Sequence, residues 1–104
     1  MNKSIEQISF AMIADSGDAK AMMLNALTDA RKGKFAEADQ TMKDAEKLIL
    51  KAHRTQTELI KSAAEGQTQE FSILLTHSQD HLMNALLAKT LIAEMILMYK
   101  ELKK

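Results

Sequence analysis

Apolar residues recur at three- and four-residue intervals through almost the whole chain, and polar breaks interrupt that rhythm only twice. The first break is Lys32-Gly33-Lys34; the second is Glu65-Gly66-Gln67-Thr68-Gln69-Glu70. Between them the pattern predicts three helices, at about 4–32, 35–64 and 71–102. Ser4 and Gln7 have capping-box spacing and mark the first start. Arg31 and Lys32 put positive charge in the last turn, with Gly33 just beyond it. Asp15-Ser16-Gly17-Asp18 is a poor helix former inside that segment, so a local kink or a close approach to a neighbour is expected there.

The second helix carries two rows at heptad spacing: Phe35, Met42, Ile49, Gln56 and Ala63, and Ala38, Ala45, Ala52 and Leu59. Together they form one narrow, alanine-rich stripe that lets a partner helix come close. The third helix is different. One seam reads Leu74, Ser78, His81, Ala85, Ala88, Ile92, Met95, Tyr99 and Leu102, and is expected to face the bundle. A second row reads His77, Asp80, Asn84, Leu87, Leu91, Glu94 and Met98, with Leu82, Leu86, Ala93 and Leu97 on further faces. A helix packed on two partners needs only one apolar face. The surplus predicts self-association through helix 3.

Composition narrows the class. The 104 residues allow one domain; 46% are apolar and 27% charged, which suits a folded chain. Proline is absent and aromatics are 4%, favouring an all-α fold, an antiparallel three-helix bundle. Cysteine is absent, which excludes disulfides and thiolate metal sites. Fourteen basic residues balance fourteen acidic ones, so the basic surplus of a nucleic-acid binder is missing. Met1-Asn2-Lys3-Ser4 has no signal-peptide character, and Asn84, Lys89, Thr90 and Glu94 interrupt the longest apolar stretch. A bilayer span needs ~20 mostly apolar residues, so no membrane insertion is expected.

The chemistry concentrates at the start of helix 3, in Thr76-His77-Ser78-Gln79-Asp80-His81. Spacings of three and four bring His77, Asp80 and His81 to one side of the axis. His53 and Gln56, on helix 2, are placed to face this cluster across a short loop. His81 alone reads as a hydrogen-bonded core residue. A zinc site is a weak match, because the glutamate of the two-histidine protease helix is missing. A Ser/His/Asp triad has no nucleophile elbow to carry it. A third option is a histidine that itself accepts a phosphoryl group, since neutral imidazole is a good nucleophile. Thr76, Ser78, Gln79 and His81 would then be donors near a helix N-terminus, while Asp80 would repel phosphate unless it points elsewhere or meets a cation.

The run His77-Ser78-Gln79-Asp80-His81-Leu82-Met83 resembles the signature of the lactose/cellobiose/chitobiose-type IIA components of the bacterial sugar phosphotransferase system. Gly17-Asp18-Ala19, Gly33-x-Phe35-x-x-Ala38 and Ala52-His53-x-x-Gln56-Thr57 match in order and spacing, so the resemblance covers essentially the whole chain. It implies a cytoplasmic homotrimeric phosphocarrier. His77 takes the phosphoryl group from phospho-HPr and passes it to a cysteine of the cognate IIB component, for uptake of a lactose-, cellobiose- or chitobiose-type disaccharide. His81 and Gln79 support the site. By the same resemblance Asp80 is expected on the trimer axis, binding a single Mg²⁺ there. The competing reading is a trimeric structural or regulatory adaptor that transfers no phosphoryl group.

Overall fold

The computed structural model describes residues 4–66 and 73–103. Helix α1 spans Ile5–Arg31, α2 spans Phe35–Ala64 and α3 spans Ile73–Leu102. The ends follow from local chemistry. The Ser4 hydroxyl accepts from the Gln7 amide at 3.1 Å, and the Ser4 amide donates back to Gln7 Oε1 at 3.1 Å, closing the capping box. At the other end Gly33 takes φ 84°, its amide bonds to Ala30 O at 3.0 Å, and the Lys34 amide bonds to Asp29 O at 2.8 Å. That pair of bonds is a Schellman stop, and only glycine adopts its left-handed φ without strain. The expected start of helix 3 at Phe71 and most of the second break lie outside the described residues.

Each helix buries a stripe with alternating steps of three and four, the geometry of knobs fitting into holes. On α1 it is Ser9, Met12, Ser16, Ala19, Met23, Ala26 and Ala30. On α2 it is Ala38, Ala45, Ile49, Ala52 and Gln56, with Phe35, Met42 and Leu59 partly buried, as the heptad rows predict. Six alanines across these two stripes are small enough to let the helices approach one another. α1 is the central element. α2 and α3 each pack along it but touch one another sparingly. Polar clasps fix their register: Lys89 to Glu46 at 3.1 Å, Lys100 to Asp39 at 2.8 Å, and Lys51 to Asp15 at 3.7 Å. The result is an antiparallel bundle of 54 × 22 × 20 Å.

Two sequence expectations are corrected. The buried face of α3 is Leu75, Ser78, Leu82, Ala85, Ile92 and Ile96: it keeps Ser78, Ala85 and Ile92 of the expected seam but is rotated to take in Leu75, Leu82 and Ile96 and to leave Met95 and Leu102 exposed. Leu82 is wholly buried, whereas Leu102 is 76% exposed. Because α3 is apolar nearly all round, hydrophobic periodicity could not select which side turns inward. Gly17 is no site of close approach: it is exposed, α1 runs through it unbroken, and a Cβ there would meet nothing within 4 Å.

By length and composition alone α3 is apolar enough to cross a bilayer. Its inner stripe is instead used against the bundle, and Lys89 and Lys100 are tied to α2.

Candidate functional site

The site is built on the first two turns of α3. Ser78 is buried, and its hydroxyl donates to Leu75 O at 2.6 Å, fixing the inward side of this turn. With Ser78 turned in, His77 is turned out and is exposed, while His81 one turn later is half-buried. The i,i+4 relation brings the two rings together. Their Nε2 atoms are 3.1 Å apart, the centroids are 4.5 Å apart, and the planes cross at 85°.

A nitrogen-to-nitrogen hydrogen bond needs one N–H and one lone pair. Whichever ring accepts in such a bond does so at an unprotonated Nε2 and, when neutral, carries its proton on Nδ1. That is the state in which imidazole is a nucleophile. The neighbouring ring supplies an N–H at the same spot. His77 also lines an open depression of about 430 Å³ with Ile73, Thr76 and Asp80, so a visiting molecule has access.

The other candidates are dispersed. Asp80 is exposed, beside His77 in that depression. Gln79 stands two positions on from His77, about 200° round the helix. Its Oε1 accepts from Gln56 Nε2 at 3.4 Å, across the α2–α3 boundary. Gln56 thus does approach the start of α3, but it meets Gln79 and not the histidines. His53 is exposed, and among the described residues no hydrogen bond or ring contact joins it to His77 or His81. Among the described residues no group of three or more His, Asp or Glu side chains forms a metal cage.

Sequence reasoning placed Gln56 and Ser78 on inward-facing rows but missed Ser9. Ser9, Gln56 and Ser78 are all buried. Their heptad positions were the available signal, since a polar residue on an otherwise apolar stripe is inside whatever its type.

Outward from the site, the second row of α3 is exposed from end to end: His77, Asp80, Asn84, Leu87, Leu91, Glu94 and Met98. Leu87 is 58% exposed and Met98 is 63% exposed. Exposed apolar residues at Leu87, Leu91 and Met98 along this row make it a candidate contact surface by the usual standards of soluble proteins.

Comparison with known proteins places this geometry among relatives. Residues 7–100 match a family model described as "PTS system, Lactose/Cellobiose specific IIA subunit". A lichenan-specific phosphotransferase enzyme IIA component of Bacillus subtilis is 39% identical over 102 residues, 98% of this chain and 93% of that protein. A lactose-specific EIIA component of Staphylococcus aureus is 38% identical over 101 residues, 96% of this chain and 98% of that protein. Among solved structures, the cellobiose-specific enzyme IIA of Bacillus anthracis aligns with a TM-score of 0.92 at 50% identity, covering 99% of this chain and 94% of that one. The IIA(chitobiose)–HPr complex of the Escherichia coli phosphotransferase system aligns with a TM-score of 0.85 at 36% identity, covering 99% of this chain and 100% of that one.

Proposed function

The chain belongs to the lactose/cellobiose-specific IIA family of the phosphotransferase system, and from that premise we propose that Nε2 of His77 is the atom that carries the phosphoryl group. The protein is a phosphocarrier, a phosphotransferase component that accepts from phospho-HPr and gives to its cognate IIB component. Its role is in sugar uptake, and the finer reading is a lactose-, cellobiose- or chitobiose-type disaccharide handled in the cytoplasm.

The observation that carries the residue-level reading is the His77–His81 pair. The Nε2 lone pair of His77 attacks phosphorus; an N–P bond forms as the bond to the donor breaks, and the electron pair stays with the donor. Nδ1 of His77 keeps its proton throughout. His81 then turns its Nε2–H from the lost lone pair to a phosphoryl oxygen, a charge-assisted bond in a favourable position. The location near the N-terminal end of α3 adds a modest attraction for the dianion. Gln79 enters less directly, because it stands about 200° round the helix from His77 and its Oε1 accepts from Gln56.

Assembly and metal belong to the same proposal. The outer row of α3 supports a homotrimer in which three copies of Leu87, Leu91 and Met98 cover one another. A three-fold axis near that row would gather three Asp80 carboxylates. Among the described residues of one chain no three or more His, Asp or Glu side chains form a metal cage, so a carboxylate-held cation at Asp80 fits only the assembled form. Oxygen donors of this kind suit Mg²⁺, which would neutralise their mutual repulsion.

The test is labelling from phosphoenolpyruvate through the general components and HPr. An acid-labile, base-stable label is expected on the wild type and absent from His77→Ala, with slower uptake by His81→Ala. Label retained by His77→Ala would overturn the assignment; a trimer that never takes label would favour the adaptor reading.

A further inference from the structure

We propose that His77 and His81 form a chelating site for a borderline transition-metal cation such as Zn²⁺, and that the bound cation closes the acceptor nitrogen. The blocking half rests on the phosphoryl reading above; the binding half does not. The two Nε2 atoms lie 3.1 Å apart. Two metal–nitrogen bonds of ~2.05 Å spanning that gap meet at an angle of about 98°. That lies between the octahedral and tetrahedral angles, and each Nε2 lone pair meets the ion when it turns about 40° off the line joining the two nitrogens.

The backbone holds the pair ready. Both residues are on continuous helix, one turn apart, and buried Ser78 pins the turn between them. Imidazole nitrogens favour Zn²⁺, Cu²⁺ or Ni²⁺ over Mg²⁺, so this site is chemically separate from the carboxylate site argued for Asp80. Asp80 nevertheless lies in the same depression as His77 and contributes negative charge beside the cation. Coordination uses both Nε2 lone pairs; the proton now shared at that edge moves to Nδ1 of its own ring or to water, and water completes the metal's shell. With its lone pair committed to the metal, His77 has none to offer phosphorus. Removal of the ion restores it, so inhibition is reversible.

The experiment has two arms on the full chain. Zn²⁺ is titrated by calorimetry in a non-coordinating buffer containing excess Mg²⁺. His81→Ala and the shape-conserving His81→Gln are expected to bind at least about tenfold more weakly, since even supporting partners of a ligand are worth that much. His53→Ala is expected to bind as the wild type does. In the second arm, Zn²⁺ stops label uptake from purified phospho-HPr by the wild type, and a chelator restores it. His81→Gln takes label more slowly at a rate indifferent to Zn²⁺. Equal Zn²⁺ affinity in wild type and both His81 variants, or displacement by Mg²⁺, overturns the chelate. Equal Zn²⁺ inhibition of His81→Gln overturns the blocking role. Absence of label on metal-free wild type instead defeats the phosphoryl reading, while calorimetry still decides the chelate.

Discussion

Ser16 provides a test in which the sign of a stability change is at stake. It lies in the buried stripe of α1 at 1% exposure, and its hydroxyl has no hydrogen-bond partner among the described residues. Ser16→Ala keeps the Cβ and removes only the oxygen. An unpaired buried hydroxyl costs about 1–3 kcal/mol, and deletion relieves that cost. Alanine adds up to about 0.5 kcal/mol through helix propensity. The void left by one oxygen, ~10 Å³, costs about 0.3 kcal/mol. The sum is a stabilisation of about 1–3 kcal/mol. For a domain of this size each kcal/mol moves Tm by about 4–8 °C, so a rise of ~5–20 °C is expected. Ser78→Ala is the matched control: its hydroxyl is bonded at 2.6 Å, and removal is expected to bring no gain. Both variants are compared with wild type by thermal and guanidinium unfolding at one protomer concentration, so that the proposed association contributes equally to each. A fall in Tm for Ser16→Ala would show that the hydroxyl is satisfied and that the reasoning is wrong.

Three further outcomes follow, two from the fold and the third from the proposed assembly. Leu82→Ala is expected to lose about 2–5 kcal/mol, and Met95→Ala much less, by denaturant unfolding; equal losses would restore the seam that was expected to face the bundle. Gly33→Ala is expected to cost about 1 kcal/mol through its left-handed φ in the same assay, even though nothing lies within 4 Å of the added Cβ. Leu91→Lys is expected to shift the assembly to smaller species in sedimentation, whereas Asp80→Leu is expected to remain assembled without added Mg²⁺; a monomeric Asp80→Leu would contradict the axial placement.

The legibility of the sequence varied with the asymmetry of each helix. α2 is strongly two-sided, so its rows at Ala38, Ala45, Ile49, Ala52 and Gln56 named the buried face directly. The ends of α1 were legible because Ser4, Gln7 and Gly33 act through their immediate neighbours. α3 resisted, since a helix with leucine or methionine on every side has no polar face to mark the outside. Its inner face is settled by where α1 and α2 lie, which no local pattern encodes. The same division holds at the site. The His77–His81 contact follows from one helical turn, and sequence spacing sufficed. The Gln56–Gln79 bond crosses two helices and depends on their register. His53 stands three positions before Gln56, about 60° round the helix, and that rotation is enough to turn it to solvent.

The inner and outer rows of α3 share one cadence, offset by two residues, and this restricts how the helix can change length in evolution. Deleting one residue between Asp80 and Met98 would swing everything downstream by about 100°, drawing Ile92 and Ile96 out of the interior and scrambling the outer strip at the same stroke. Insertions or deletions of seven or eleven residues, each within about 20° of a whole number of turns, come nearest to leaving both surfaces aligned. Substitution is therefore the route by which this helix can diversify, while changes of length are confined to its ends and to the connections before it.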